Sequence, residues 1–98
     1  MMEVQTTAVF DDWFAALRDR EARQRIAVRI RLLGAGNPGQ HRVLTGGVTE
    51  LKVDFGPGYR IYLTVRAGIA YVLLCGGDKS TQSDDIATAL RLAKEISP

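Results

Sequence analysis

The sequence predicts an α+β domain: a small twisted, mainly antiparallel sheet with two N-terminal helices and a C-terminal helix, in the order β-α-α-β-β-β-α. Three observations carry that reading. Apolar residues recur at helical spacing between Val9 and Leu33. Strict alternation replaces that spacing between Thr49 and Arg66, as in strands with two unlike faces. Helical spacing returns after the glycine pair Gly76-Gly77. With 98 residues there is room for a single domain, 1–98, and too little for two.

Each element has a local reason. Val4-Gln-Thr is a short edge strand. Thr7 is placed as an N-cap, with Asp11 and Asp12 early in the following helix, where negative charge is favoured. Val9, Phe10, Trp13, Phe14 and Leu17 form its buried stripe, so Trp13 and Phe14 read as core and not as a base-stacking platform. A second helix, about Glu21 to Leu33, buries Ala22, Ile26, Ile30 and Leu33. Gly34-Ala-Gly-Asn-Pro-Gly39 stops it. The strand Thr49–Phe55 places Leu51, Val53 and Phe55 on one face and Glu50, Lys52 and Asp54 on the other. Gly56-Pro-Gly58 is a turn. Tyr59–Arg66 alternates again, and Ile69–Cys75 is apolar on both faces, as an interior strand should be. Ser80 or Ser83 caps a last helix, which buries Ile86, Leu90 and Ala93.

Composition narrows the class. The chain is 46% hydrophobic and 24% charged, which is ordinary for a globular protein. No apolar run approaches the roughly 20 residues of a membrane span, and the first residues lack the features of a signal peptide. The expectation is a cytoplasmic protein without membrane contact. The single cysteine, Cys75, reads as a buried inert thiol rather than a nucleophile. The one histidine, His41, cannot make a metal site with scattered carboxylates. Six arginines lie between Arg18 and Arg31. They read either as a solvated helix face or as a footprint for RNA or an acidic partner.

If the two alternating strands pair as a hairpin, Glu50, Lys52, Arg60, Tyr62 and Arg66 project from one side. That side is either a working surface or a solvated face with ion pairs such as Glu50 with Arg60. Lys79, after Gly76-Gly77, is expected to overhang it. Arg60 and Lys79 are both expected to point to an open face and to carry no core packing. His41 and Arg42 are placed in the loop before the sheet. Gly-Gly-x-Lys-Ser lacks the spacing of a nucleotide-binding P-loop.

Five stretches carry a resemblance: Phe10-x-x-Trp13, Gly36-Asn37-x-Gly39, Gly47-Val48-x-Glu50-Leu51, Gly56-Pro-Gly-Tyr-Arg60 and Gly76-Gly-Asp-Lys-Ser-Thr-Gln82. Together they resemble the RelE/ParE toxin superfamily, in particular its HigB-like addiction module killer branch. The resemblance implies the toxin of a type II toxin-antitoxin pair, a ribosome-dependent mRNA endoribonuclease that inhibits translation with no metal and no cofactor. The partners implied are a cognate antitoxin, in a toxin-antitoxin hetero-oligomer, and the ribosome with its mRNA. Arg60, Lys52 and Lys79 match basic residues of RelE-like relatives. Glu50 falls where some carry a base, and Tyr62 joins them as the one phenol on that face. Arg66, His41 and Arg42 are the expected RNA contacts. The alternative within the superfamily is a ParE-like toxin that binds and inhibits DNA gyrase without nuclease activity. The last helix has no tyrosine where some RelE-type enzymes place one.

Overall fold

The computed structural model describes residues 2–96. The chain runs β1 (Glu3–Thr6), α1 (Ala8–Ala16), α2 (Arg20–Gly34), β2 (His41–Val43), β3 (Thr49–Val53), β4 (Tyr59–Arg66) and β5 (Ala70–Gly77). A short 3₁₀ turn (Lys79–Thr81) then leads into α3 (Gln82–Ile96). The result is an α+β fold on a five-stranded sheet of order β1-β5-β4-β3-β2. The sheet is mixed, because β1 pairs with β5 in parallel while the other three pairings are antiparallel. The Cα radius of gyration is 12.3 Å, close to the value of about 12.6 Å expected of a compact chain this long.

Helix starts follow side-chain capping. The Thr7 hydroxyl accepts from the Phe10 amide at 3.1 Å and donates to the Leu74 carbonyl at 2.6 Å, which ties α1 to β5. Asp19 caps α2 by accepting from the Glu21 and Ala22 amides at 3.0 and 3.2 Å. The last helix is not capped by Ser80 or Ser83. Asp78 does that work at the 3₁₀ turn: its carboxylate takes the Ser80 amide at 2.8 Å, and Thr81 answers from within the turn. Ser80 contributes its own hydroxyl to the same carboxylate. These bonds from Ser80 hold the Asp78 carboxyl below its ordinary pKa.

The sheet is covered on both faces, which corrects the expectation of one open face. On one side α1 and α2 bury Phe10, Ile26 and Leu33 against Leu51, Ile61, Leu63 and Leu73. On the other, α3 brings Ala89 and Ala93 down onto Val48, Tyr62, Val72, Leu74 and Cys75. Alternation separates the two sides of a strand, but a tyrosine or an arginine packs its stem under a helix as readily as it meets water. The two alanines let α3 approach closely. Cys75 is buried as expected, and burial pushes its thiol up to about 12.

Other boundaries shift for identifiable reasons. His41 and Arg42 form the edge strand β2 and not a loop, with His41 opposite Leu51 and Arg42 opposite Glu50. The order is therefore β-α-α-β-β-β-β-α. Strand β3 ends at Val53, and Phe55 lies in the turn with the Arg25 guanidinium 4.4 Å from its ring centre. Val9 lies on the outer side of α1 and Ile69 on the β4–β5 turn, both exposed. Between β4 and β5 the register jumps from Tyr62–Cys75 to Leu63–Leu73, so Leu74 is a bulge residue.

Arg29 secures the new edge strand. Its guanidinium donates to the Pro38 carbonyl at 2.8 Å, to the Gln40 carbonyl at 2.9 Å and to the Lys52 carbonyl. Gly39, at φ +63°, leaves room for it: a β-carbon there would lie 3.1 Å from Arg29 Nε. Replacing Arg29 with methionine is expected to cost about 2–3 kcal/mol, since bonds to a charged donor each contribute about 1.5–3 kcal/mol and are not additive. Denaturant unfolding checks the magnitude. Faster hydrogen exchange confined to the β2 amides checks the location.

Candidate functional site

The β3–β4 pairing sets Glu50 opposite Tyr62 and Lys52 opposite Arg60, so all four leave the same side of the sheet. Arg42, opposite Glu50 on β2, joins them. Gln82, the first residue of α3, reaches down from above. Arg42, Glu50, Lys52, Arg60 and Gln82, with Gln40 and His41 on the border, line a cleft of about 380 Å³ that Tyr62 does not reach.

Glu50 is the centre of the arrangement and is only 4% exposed. Its Oε2 accepts from the Tyr62 hydroxyl and from Gln82 Nε2, each at 2.9 Å. Arg42 Nη2 lies 3.3 Å from Oε1, and Arg60 Nε lies 3.7 Å from Oε2. Arg60 is 7% exposed. Its Nη1 donates to the Gly58 carbonyl at 2.8 Å, while its buried Nε has no hydrogen-bond partner among the described residues. The ion pair of Glu50 with Arg60 weighed from the sequence is therefore present, but buried and not solvated.

The residues expected at a working site fare differently. Arg42, Lys52, Arg60 and Glu50 come together. Lys79 is exposed and does not line the cleft; a β-carbon at Gly58 would lie 3.7 Å from Lys79 Cβ and 3.3 Å from Arg60 Nη1, which places Lys79 close to Arg60 at the rim. Tyr62 is fully buried, so it offers no ring face to a base. Burial, the bond to Glu50 and the nearby carboxylates raise its pKa and keep it a neutral donor. Arg66 projects from the other end of β4, six residues or about 20 Å from Arg60, and is no part of the cleft. His41 borders the cleft, but its register position opposite Leu51 assigns its side chain to the α2 side of the sheet. Its Nδ1 lies 2.7 Å from the Gly39 carbonyl. Arg60 also departs from the expectation of an unpacked side chain.

The Gly76-to-Gln82 motif acquires a physical explanation. A β-carbon at Gly76 would stand 2.4 Å from the Trp13 ring, and one at Gly77 1.7 Å from Asp85 Oδ2. The glycines thus admit α1 on one side and α3 on the other. Asp78 and Thr81 cap, Thr81 also donates to Asp85 at 2.6 Å, and Gln82 locks Glu50. Gln82 was not assigned a role from the sequence, although it closes the motif. Its partner lies 32 positions away, and no local spacing announces such a bond.

The arginines of α2 also divide. Arg29 is the clamp described above. Arg25 pairs with Glu21 at 3.0 Å, and Arg23 lies 5.6 Å from the Phe14 ring centre. Five of the six arginines lie on α2 and Arg18 just before it; among the described residues, Arg18, Arg20 and Arg31 have no carboxylate within ion-pair distance, so the charge available to a partner is smaller than the count of six implies.

No family model matches the chain. A protein of Haemophilus influenzae (strain ATCC 51907 / DSM 11121 / KW20 / Rd), described as an uncharacterized protein, is 43% identical to it over 95 residues, covering 97% of this chain and 96% of the relative.

Proposed function

The chain belongs to one family with that Haemophilus influenzae protein, and we propose that it acts on RNA phosphodiesters as the toxin of a type II toxin-antitoxin pair. The reading is a ribosome-dependent mRNA endoribonuclease of RelE/ParE type. The observation that carries it is the gathering of Arg42, Lys52 and Arg60 around one cleft, with Lys79 at the rim. Three cations against one carboxylate leave a surplus that suits a phosphodiester. Arginine supplies paired donors to phosphate oxygens and stays charged throughout.

In the reaction proposed, the RNA 2′-oxygen attacks the adjacent phosphorus and loses its proton. The bond to the 5′-oxygen breaks, that oxygen gains a proton, and a 2′,3′-cyclic phosphate remains. The cations stabilise the charge that builds on the phosphate in the transition state. With Tyr62 buried, no aromatic among the described residues lines the cleft to grip free RNA, so the ribosome supplies positioning, an effect that can reach about 7–11 kcal/mol. An α+β fold with two helices before the main sheet strands and one after them supports the reading at the level of fold class. An antitoxin of acidic or helical character, binding the basic surface, completes the proposal.

One observation favours the second reading, a ParE-like binder of gyrase. The carboxylate of Glu50 is engaged by several donors and Tyr62 is buried, and a binder needs no free proton acceptor. Mapping mRNA 5′ ends after induction separates the two: cuts inside translated codons support the nuclease, and double-strand DNA breaks support gyrase. Lys79→Ala is the cleanest variant for this test. The side chain is exposed, so stability is expected to change by less than about 0.5 kcal/mol, while cleavage falls by about two to three orders of magnitude. Full toxicity at equal expression would remove Lys79 from the site.

A further inference from the structure

We propose that Glu50 is a positioning residue and not a proton acceptor: fixed by Tyr62 and Gln82, it holds Arg42 and Arg60 in place to receive one phosphate. The inference deepens the nuclease reading and takes from it only the class of ligand.

A proton acceptor needs a lone pair that reaches the substrate hydroxyl at about 2.6–3.2 Å. Glu50 is nearly inaccessible. Its Oε2 already serves Tyr62 and Gln82, with Arg60 Nε just beyond bonding range at 3.7 Å, and its Oε1 faces Arg42.

The same contacts make a good support. Tyr62 comes from β4 and Gln82 from α3, so the carboxylate is fixed from beneath by the sheet and from above by the helix. Arg42 stands on the edge strand, with its side chain 60% exposed. Such a side chain samples many rotamers unless something holds it, and the ion pair with Glu50 reduces the ordering that phosphate binding must impose. Arg60 lacks that freedom already, since Gly58 holds Nη1. Its unpartnered buried Nε shows that Glu50 neutralises the guanidinium without saturating it. Gln82 thereby becomes a positioning residue on the wall of the cleft.

The test uses the full chain with inorganic phosphate as probe, followed through the arginine Nε–H resonances by NMR. Phosphate is expected to shift the Arg42 and Arg60 signals. Gln82→Ala and Tyr62→Phe, which each remove one donor to Glu50, are expected to weaken phosphate binding about tenfold. In the ribosome assay the same variants should raise KM more than they lower kcat. Glu50→Gln should keep the acidic limb of the pH–rate profile. Unchanged phosphate affinity in Gln82→Ala and Tyr62→Phe overturns the inference. So does a Glu50→Gln variant that binds phosphate normally but loses kcat together with the acidic limb. If Glu50→Gln does not fold, the other two variants decide. If no cleavage is seen under any condition, the nuclease reading fails while the phosphate titration still reports on Glu50.

Discussion

Replacing Arg60 with methionine is expected to lower unfolding stability by about 3 kcal/mol, because it removes the buried cation beside the buried carboxylate of Glu50 and leaves only the exposed Arg42 paired with it. This differs from the expectation drawn from the sequence, where Arg60 stands on an open face and can be removed without consequence for the fold. In the structure it is 7% exposed and its Nη1 holds the Gly58 carbonyl. A toxicity loss in an Arg60 deletion therefore does not by itself identify an active site. Arg60→Lys separates the two effects. It keeps the charge near Glu50, so most of the stability should remain, while the planar pair of donors is lost and cleavage should fall by about two orders of magnitude. Denaturant unfolding of both variants, beside their cleavage rates at equal folded fraction, checks the prediction. A methionine variant as stable as the parent would show that the ion pair contributes nothing.

The second large effect is expected at Gly76. An alanine there places a carbon 2.4 Å from two atoms of the Trp13 ring. The indole cannot simply move away, for it packs 5.8 Å from Phe10 and 6.3 Å from Tyr59, centroid to centroid. Overpacking of this kind typically costs about 1–3 kcal/mol, and a rigid ring pressed by backbone belongs at the upper end. Trp13 is the sole tryptophan, so its fluorescence reports both the local change and the unfolding midpoint. Gly76→Ala combined with Trp13→Leu should recover part of the loss, which a double-mutant cycle measures directly. Additive losses would mean that the two residues do not compete for space.

Much of the architecture was legible in the chain. The alternation from Tyr59 to Arg66 gave β4 its observed limits, and it put Glu50, Lys52, Arg60 and Tyr62 on a common side, as the register bears out. The Thr7 cap was also legible, because capping is a local bond. What escaped is long-range. Strand β2 has three residues and no pattern of its own. It exists because β3 pairs with it and Arg29 clamps the loop before it. The covering of the polar side by α3 depends on Ala89 and Ala93 meeting Tyr62 and Cys75, which no period in either segment reveals. The bulge at Leu74 is hidden in a run that is apolar on both faces. At the site, side chains alternating with apolar ones were read as solvent-facing, whereas Glu50, Arg60 and Tyr62 satisfy one another beneath a helix. Alternation put Arg66 on the same side as Arg60, and it is there, but six residues further along β4; His41 was placed in a loop and instead sits on β2 at the border of the cleft, opposite Leu51.

The central claim is that the cleft between Arg42, Lys52 and Arg60 works on RNA presented by the ribosome. The most direct measurement is cleavage of one mRNA by purified protein, with and without programmed ribosomes, reading both the cut positions and the chemistry of the new ends. The account predicts cuts within the translated frame, bearing 2′,3′-cyclic phosphates, only when ribosomes are present, and their loss in Lys79→Ala. Equal cutting of naked and ribosome-bound mRNA would contradict the need for the ribosome, and no cutting in either would contradict the nuclease itself.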